Sequence, residues 1–189
     1  MPKSHVHRQS ISTKTEQNSL IVLGIDTGPD QHAYVLLRFD HSHSIAFVEL
    51  GMADTPTLGG LERTYTFAAL ERPAGFAYKP AIVCALLKTA YEAGCVCGQL
   101  QARGVPVVPL CAADWRRDVC GNGSATDAVI KDAVTRLVRG WPKRSNAHHR
   151  DAAGVALAAG WLRLREQGGS MGEATQKDKA RELATGGMP

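Results

Sequence analysis

Ser19-Leu-Ile-Val-Leu-Gly-Ile25 is an unbroken apolar run that stops at the turn signal Asp26-Thr27-Gly28-Pro29-Asp30. A strand with one wet face alternates apolar and polar residues, so a short continuous run reads as a central strand buried on both faces. This segment therefore calls for a sheet with material packed on each side, and it places a carboxylate, Asp26, at the strand's end. Ala33 to Phe39 and Ser44 to Leu50 are two further strand candidates, separated by Asp40-His41-Ser42-His43. Their spacing predicts an antiparallel meander of three strands. Thr64-Tyr-Thr-Phe-Ala-Ala-Leu70 reads as a fourth strand ending at Glu71, before the breaker-rich Arg72-Pro73-Ala74-Gly75.

Beyond that loop the pattern turns helical. Pro80 to Arg103 is opened by a proline and closed by Gly104. Val105 to Pro109 reads as a short fifth strand and Ala112 to Val119 as a short helix. Ser124, last in the loop Gly121-Asn-Gly-Ser124, is placed to cap a helix from Ala125 to about Arg139. Trp141-Pro142 breaks that helix, and Asn146 to Arg165 makes the last one. The order predicts an α/β fold: a mixed five-stranded sheet, its first three strands antiparallel, flanked by helices.

At 189 residues the chain suits one domain with a real core, expected over 20–166 between flexible tails at 1–19 and 167–189. The second tail is Gly-rich and polar, with a short helix possible only around Thr175 to Leu183. A formal charge of +4 permits a polyanionic partner without demonstrating one. No apolar stretch approaches the roughly 20 residues of a membrane helix, and Met1 to Ser19 lacks the apolar core of a secretory signal. The five cysteines read as reduced thiols of a cytoplasmic protein. Cys95 and Cys97 have no second pair at zinc-site spacing, so no zinc site is expected.

Strand ends are where open α/β sheets gather functional groups, and Asp26 and Glu71 both occupy such positions. A third acid, Asp151, shares a helix face with Val155, Ala158 and Leu162. That apolar face suits a carboxylate only if it has a partner, because burying one unpaired costs several kcal/mol or more. Alanines 152, 153, 156, 158 and 159 let the helix approach the sheet closely, and His148 projects on the same side one turn earlier. A pair of divalent cations would account for three acids and a histidine meeting there, and oxygen ligands suit Mg²⁺ or Mn²⁺. Each residue also has an ordinary explanation. Asp26 could shape a turn, Glu71 could be a surface residue, and Asp151 could pair with Arg150 or another arginine. His149 is expected to face solvent.

These residues carry a resemblance to the RuvC family of Holliday junction resolvases, in the RNase H-like superfamily. Ile21-Val-Leu-Gly-Ile-Asp-Thr-Gly28 is similar to the family's opening strand, with Thr27 where proline is usual. Ala69-Leu-Glu71 resembles its second acidic strand end, and Ala90 to Gly98 follows its next helix. Gly104-Val-Pro-Val-Val-Pro109 with Arg116 resembles the next strand and the basic position after it, and Gly121-Asn-Gly-Ser-Ala125 the glycine loop. His148-His-Arg-Asp-Ala-Ala-Gly-Val-Ala-Leu157 resembles the closing motif. The chain departs from the pattern in two places. Only Gly51 to Arg63 is available for a helix before the glutamate strand, and Asp127 stands where a lysine is usual, with Lys131 one turn on.

The resemblance implies a homodimeric endonuclease, bacterial, phage-encoded or organellar, that nicks a four-way DNA junction symmetrically. Asp26, Glu71, His148 and Asp151 would be its catalytic residues and the holders of two Mg²⁺ ions, with Mn²⁺ able to substitute. His148 would either ligate a cation or position the nucleophile. Arg72, Lys79, Arg116, Arg117 and Lys131 would contact DNA, with Lys143 and Arg144 as further phosphate candidates. Phe76 or Tyr78 would wedge into the junction or simply pack the loop. Two alternatives keep the fold: a nuclease for other branched DNA or an RNA–DNA hybrid, and a DNA-binding module without turnover.

Overall fold

The computed structural model describes residues 19–40, 44–59, 61, 65–73 and 80–166. The expected tails, including Thr175 to Leu183, lie outside the described residues apart from Ser19. The strands are β1 (Leu20–Asp26), β2 (His32–Phe39), β3 (Ile45–Ala53), β4 (Phe67–Arg72), β5 (Val107–Cys111) and β6 (Val138–Arg139). The helices are α1 (Thr55–Gly59), α2 (Pro80–Ala102), α3 (Ala112–Cys120), α4 (Asp127–Leu137) and α5 (Ala147–Glu166).

One sheet runs in the order β5-β4-β1-β2-β3-β6, so β1 is central, as its unbroken apolar run requires. β1 to β3 form the antiparallel meander, with an irregularity between Leu36 and Leu37, whereas β4 runs parallel to β1 and β5 parallel to β4. Among the described residues the sheet has six strands rather than the expected five. The addition is the two-residue β6, parallel to β3 through Ile45 and Val138. It takes the place of the last turn of the expected helix to Arg139. That helix also starts later, with Thr126 at its N-cap and no side-chain cap from Ser124 or Thr126.

The two faces of β1 build two cores. Val22 packs with Val35, Leu37, Trp115, Ile130, Val134 and Val155 under α3, α4 and α5. Leu23 and Ile25 pack with Leu36, Leu70, Leu58, Val96 and Leu100 under α1 and α2. Side chains alternate along a strand, so Asp26 faces the α5 side with Val22, and Glu71 does so with Phe67 and Ala69. Of the Gly51 to Arg63 stretch, Gly51 to Ala53 complete β3, and the five-residue α1 is the helix among its described residues.

α5 is buried continuously from Ala152 to Gly160, because it lies against β1 and β2 on one side and against α3 and α4 on the other. Its alanines and glycines make this possible. A Cβ on Gly24 would collide with the Ala152 carbonyl oxygen and the Ala156 methyl, and one on Gly154 would collide with the Trp115 ring. Leu162, expected on the buried stripe, is 37% exposed, since the burial ends two residues earlier at Gly160. His149 is buried rather than solvent-facing. Its Nδ1 accepts from the Asn146 N–H at 3.4 Å, while Asn146 Oδ1 accepts from the His149 N–H at 2.8 Å. This reciprocal cap fixes the first turn of α5. All five cysteines are free thiols, and among the described residues no helix is long and apolar enough to cross a membrane.

Candidate active site

Asp26 and Glu71 become neighbours through strand register. The parallel pairing of β1 and β4 runs to Ile25 opposite Leu70, and the next residue on each strand is a carboxylate. Thr27 Oγ1–H donates to the Glu71 carbonyl oxygen at 3.3 Å and ties the two strand ends together. Asp26 and Glu71 each lie inside the end of their strand rather than just past it as the sequence pattern suggested. α5 crosses the same face at Gly24 and brings Asp151 and His148 over these ends. β1, β4 and β5 all finish here, at the carboxyl edge of the parallel part of the sheet.

Each carboxylate is engaged by a different nitrogen donor. His148 Nδ1 lies 2.8 Å from Asp26 Oδ2, with the His148 side chain 69% exposed and that of Asp26 14%. Trp115 Nε1–H donates to Glu71 Oε2 at 2.8 Å. Arg116 Nη2 lies 3.5 Å from Asp151 Oδ2. The partner foreseen for Asp151 is thus Arg116; Arg150 instead donates to the Ser145 carbonyl oxygen at 3.0 Å. Trp115 was not legible as a site residue, although a tryptophan set among the charged residues Asp114, Arg116, Arg117 and Asp118 was a signal that could have marked it.

Burial first, and crowding of charge after it, leave their mark on two of these acids. Burial pushes the Glu71 carboxyl up to about 7, against the Trp115 hydrogen bond, and Asp26 and Asp151 push it further. Burial also raises Asp151 to about 6, helped by Asp26 and opposed by Arg116. Burial disfavours the charged form of a carboxylate, and neighbouring acids add to that cost. Among the described residues no three His, Cys, Asp or Glu side chains are gathered as a ligand set for an ion, each acid being turned to its own nitrogen donor. The donor set nevertheless fits hard divalent cations: carboxylate oxygens, partly buried, mutually repelling and underneutralised.

Of the expected DNA contacts, Arg72, Arg117 and Lys131 are exposed. Arg72 Nη2–H donates to Cys111 Sγ at 2.7 Å, and Arg117 pairs with Asp114 at 3.3 Å. Arg116 is drawn into the acidic cluster, its guanidinium 5.1 Å from the centre of the Trp115 ring. Lys143 and Arg144 are exposed between β6 and α5. Phe76, Tyr78 and Lys79 lie outside the described residues.

No protein-family model matches the chain, and no curated protein matches it. Solved structures do. The chain is similar to Thermus thermophilus RuvC in complex with a Holliday junction substrate, with a TM-score of 0.62 at 17% identity, covering 77% of this chain and 96% of that one. A second Thermus thermophilus RuvC structure gives 0.59 at 19% identity, over 77% and 97%. The yeast mitochondrial Holliday junction resolvase Ydc2 gives 0.52 at 11% identity, over 87% and 85%. The chain has the RuvC form of the RNase H-like fold.

Proposed function

We propose that this chain is a divalent-cation-dependent endonuclease that resolves four-way DNA junctions. The observation that carries the reading is the convergence of Asp26, Glu71 and Asp151, from three separate elements, on one face of a sheet with the RuvC fold. An underneutralised acidic cluster is a poor place for a polyanion unless cations accompany it. Asp26, Glu71 and Asp151 would hold two Mg²⁺ ions, with Mn²⁺ able to substitute. Bound there, the cations would supply water activation for in-line attack on phosphorus and charge for the leaving 3′ oxygen.

The chain's own groups set that stage. His148 holds one oxygen of Asp26, which fixes the orientation of the carboxylate on the central strand. Arg116 offsets part of the Asp151 charge. Arg72, Arg117 and Lys131 present exposed cations for backbone phosphates, a salt-sensitive contribution that carries no sequence information. A homodimer would supply two such sites, one for each strand to be nicked. The thermophile protein of the same fold, solved with a Holliday junction substrate, supports junction DNA as the partner.

The substrate is tested by presenting a four-way junction, a flap, a linear duplex and an RNA–DNA hybrid at equal concentration with Mg²⁺. Preferred cleavage of the junction is the expected result. Preference for the hybrid or the flap overturns the substrate assignment, and junction binding with no cleavage of anything indicates a binding module.

A further inference from the structure

The α3 helix lies outside the three elements that contribute acids, yet two of its consecutive residues reach the site. Trp115 is fully buried and Arg116 is half-buried. A buried indole N–H needs a partner, and here the partner is Glu71 Oε2 at 2.8 Å, from a strand 44 residues away in sequence. The ring is seated so closely on Gly154 of α5 that even one added carbon there would strike it. The Arg116 guanidinium also lies by it, 5.1 Å from the ring centre, and in turn reaches Asp151. The ring therefore has little freedom to turn, and the direction of its N–H is set by packing rather than by the hydrogen bond.

We infer that Trp115 is a positioning residue that fixes the Glu71 carboxylate in the orientation in which it serves the site. The inference rests on the reading of Glu71 as a cation ligand. A glutamate side chain rotates about three bonds, and one oxygen anchored on a rigid donor restricts the whole carboxylate. Groups that hold a metal ligand in this way are worth roughly 10–100-fold in metal affinity or activity. The same seat on Gly154 couples α5, which carries Asp151, to the strand that carries Glu71, so one aromatic ring sets two of the acids relative to each other.

Trp115→Phe keeps an aromatic ring at this place but removes the N–H donor together with part of the indole that packs on Gly154, so its stability is measured alongside. It is expected to weaken Mg²⁺ binding, measured by calorimetry, by roughly 10–100-fold and to lower kcat on a four-way junction by a similar factor with KM unchanged. A readout independent of turnover uses the indole N–H signals of Trp115, Trp141 and Trp161 in ¹⁵N-labelled protein. Glu71→Gln and, separately, Mg²⁺ addition should each shift the Trp115 signal and leave that of Trp161 in place. A Trp115 signal indifferent to Glu71→Gln overturns the inference, as does a folded Trp115→Phe chain that binds Mg²⁺ like the wild type. If Trp115→Phe fails to fold, the Glu71→Gln spectrum decides alone. A wild-type chain that binds Mg²⁺ but cuts no substrate sinks the nuclease reading, while the spectrum and the Mg²⁺ affinity still judge Trp115.

Discussion

His148 Nδ1 meets Asp26 Oδ2 at 2.8 Å, joining the first turn of the last helix to the end of the central strand across 122 residues of sequence. The contact depends on α5 lying against β1 at Gly24, where there is no room for a side chain. Gly24→Ala should therefore separate the two elements. Its Cβ would strike backbone, which cannot rotate aside, so the cost is expected at about 3 kcal/mol, the upper end of overpacking. Thermal unfolding checks it; a loss below about 1 kcal/mol would mean that α5 shifts freely on the sheet.

The raised carboxyls make the cation-free protein sensitive to pH in an uncommon direction. Glu71 at about 7 and Asp151 at about 6 keep their protons in the folded chain over a range where the unfolded chain has released them. The native state then binds more protons, so stability falls as pH rises from the ordinary carboxylate range through about 7. A few kcal/mol is the expected scale, and saturating Mg²⁺ should remove most of the slope because it stabilises the ionised acids. Urea unfolding at several pH values, with and without Mg²⁺, measures this. A flat profile without Mg²⁺ contradicts the burial and crowding of these acids.

Arg116 and Arg117 are adjacent but answer to different partners. Arg116→Met leaves Asp151, 18% exposed, without its cation and should destabilise the metal-free protein at pH 8 by about 1–2 kcal/mol, less when Mg²⁺ is added. Arg117→Met removes an exposed pair with Asp114 and should change stability by less than about 0.5 kcal/mol. Equal effects of the two would remove Arg116 from the cluster.

The acids at strand ends were legible because a buried central strand is written as an apolar run, and the residue that ends the run is visible. Asp151 was legible because helical spacing puts it on one face with Val155 and Ala158. His149 was misread because alanine and glycine give weak hydrophobic contrast, so a helix buried on nearly every side looked buried on one. β6 went unseen because two residues at a helix end carry no strand period. Trp115 was invisible as part of the site for another reason: its partner Glu71 is brought near only by the folding of α3 over the sheet.

The central claim is most directly tested by cleavage of a synthetic four-way junction with end-labelled strands, with and without Mg²⁺, by the wild type and by Asp26→Asn. Mg²⁺-dependent nicks at symmetric positions on two opposing strands are the expected result. A folded Asp26→Asn chain should lose cleavage beyond roughly 100-fold, the upper end for a residue that merely supports a ligand. Cleavage that persists in Asp26→Asn, or that proceeds equally without Mg²⁺ in a chelated sample, would contradict that claim.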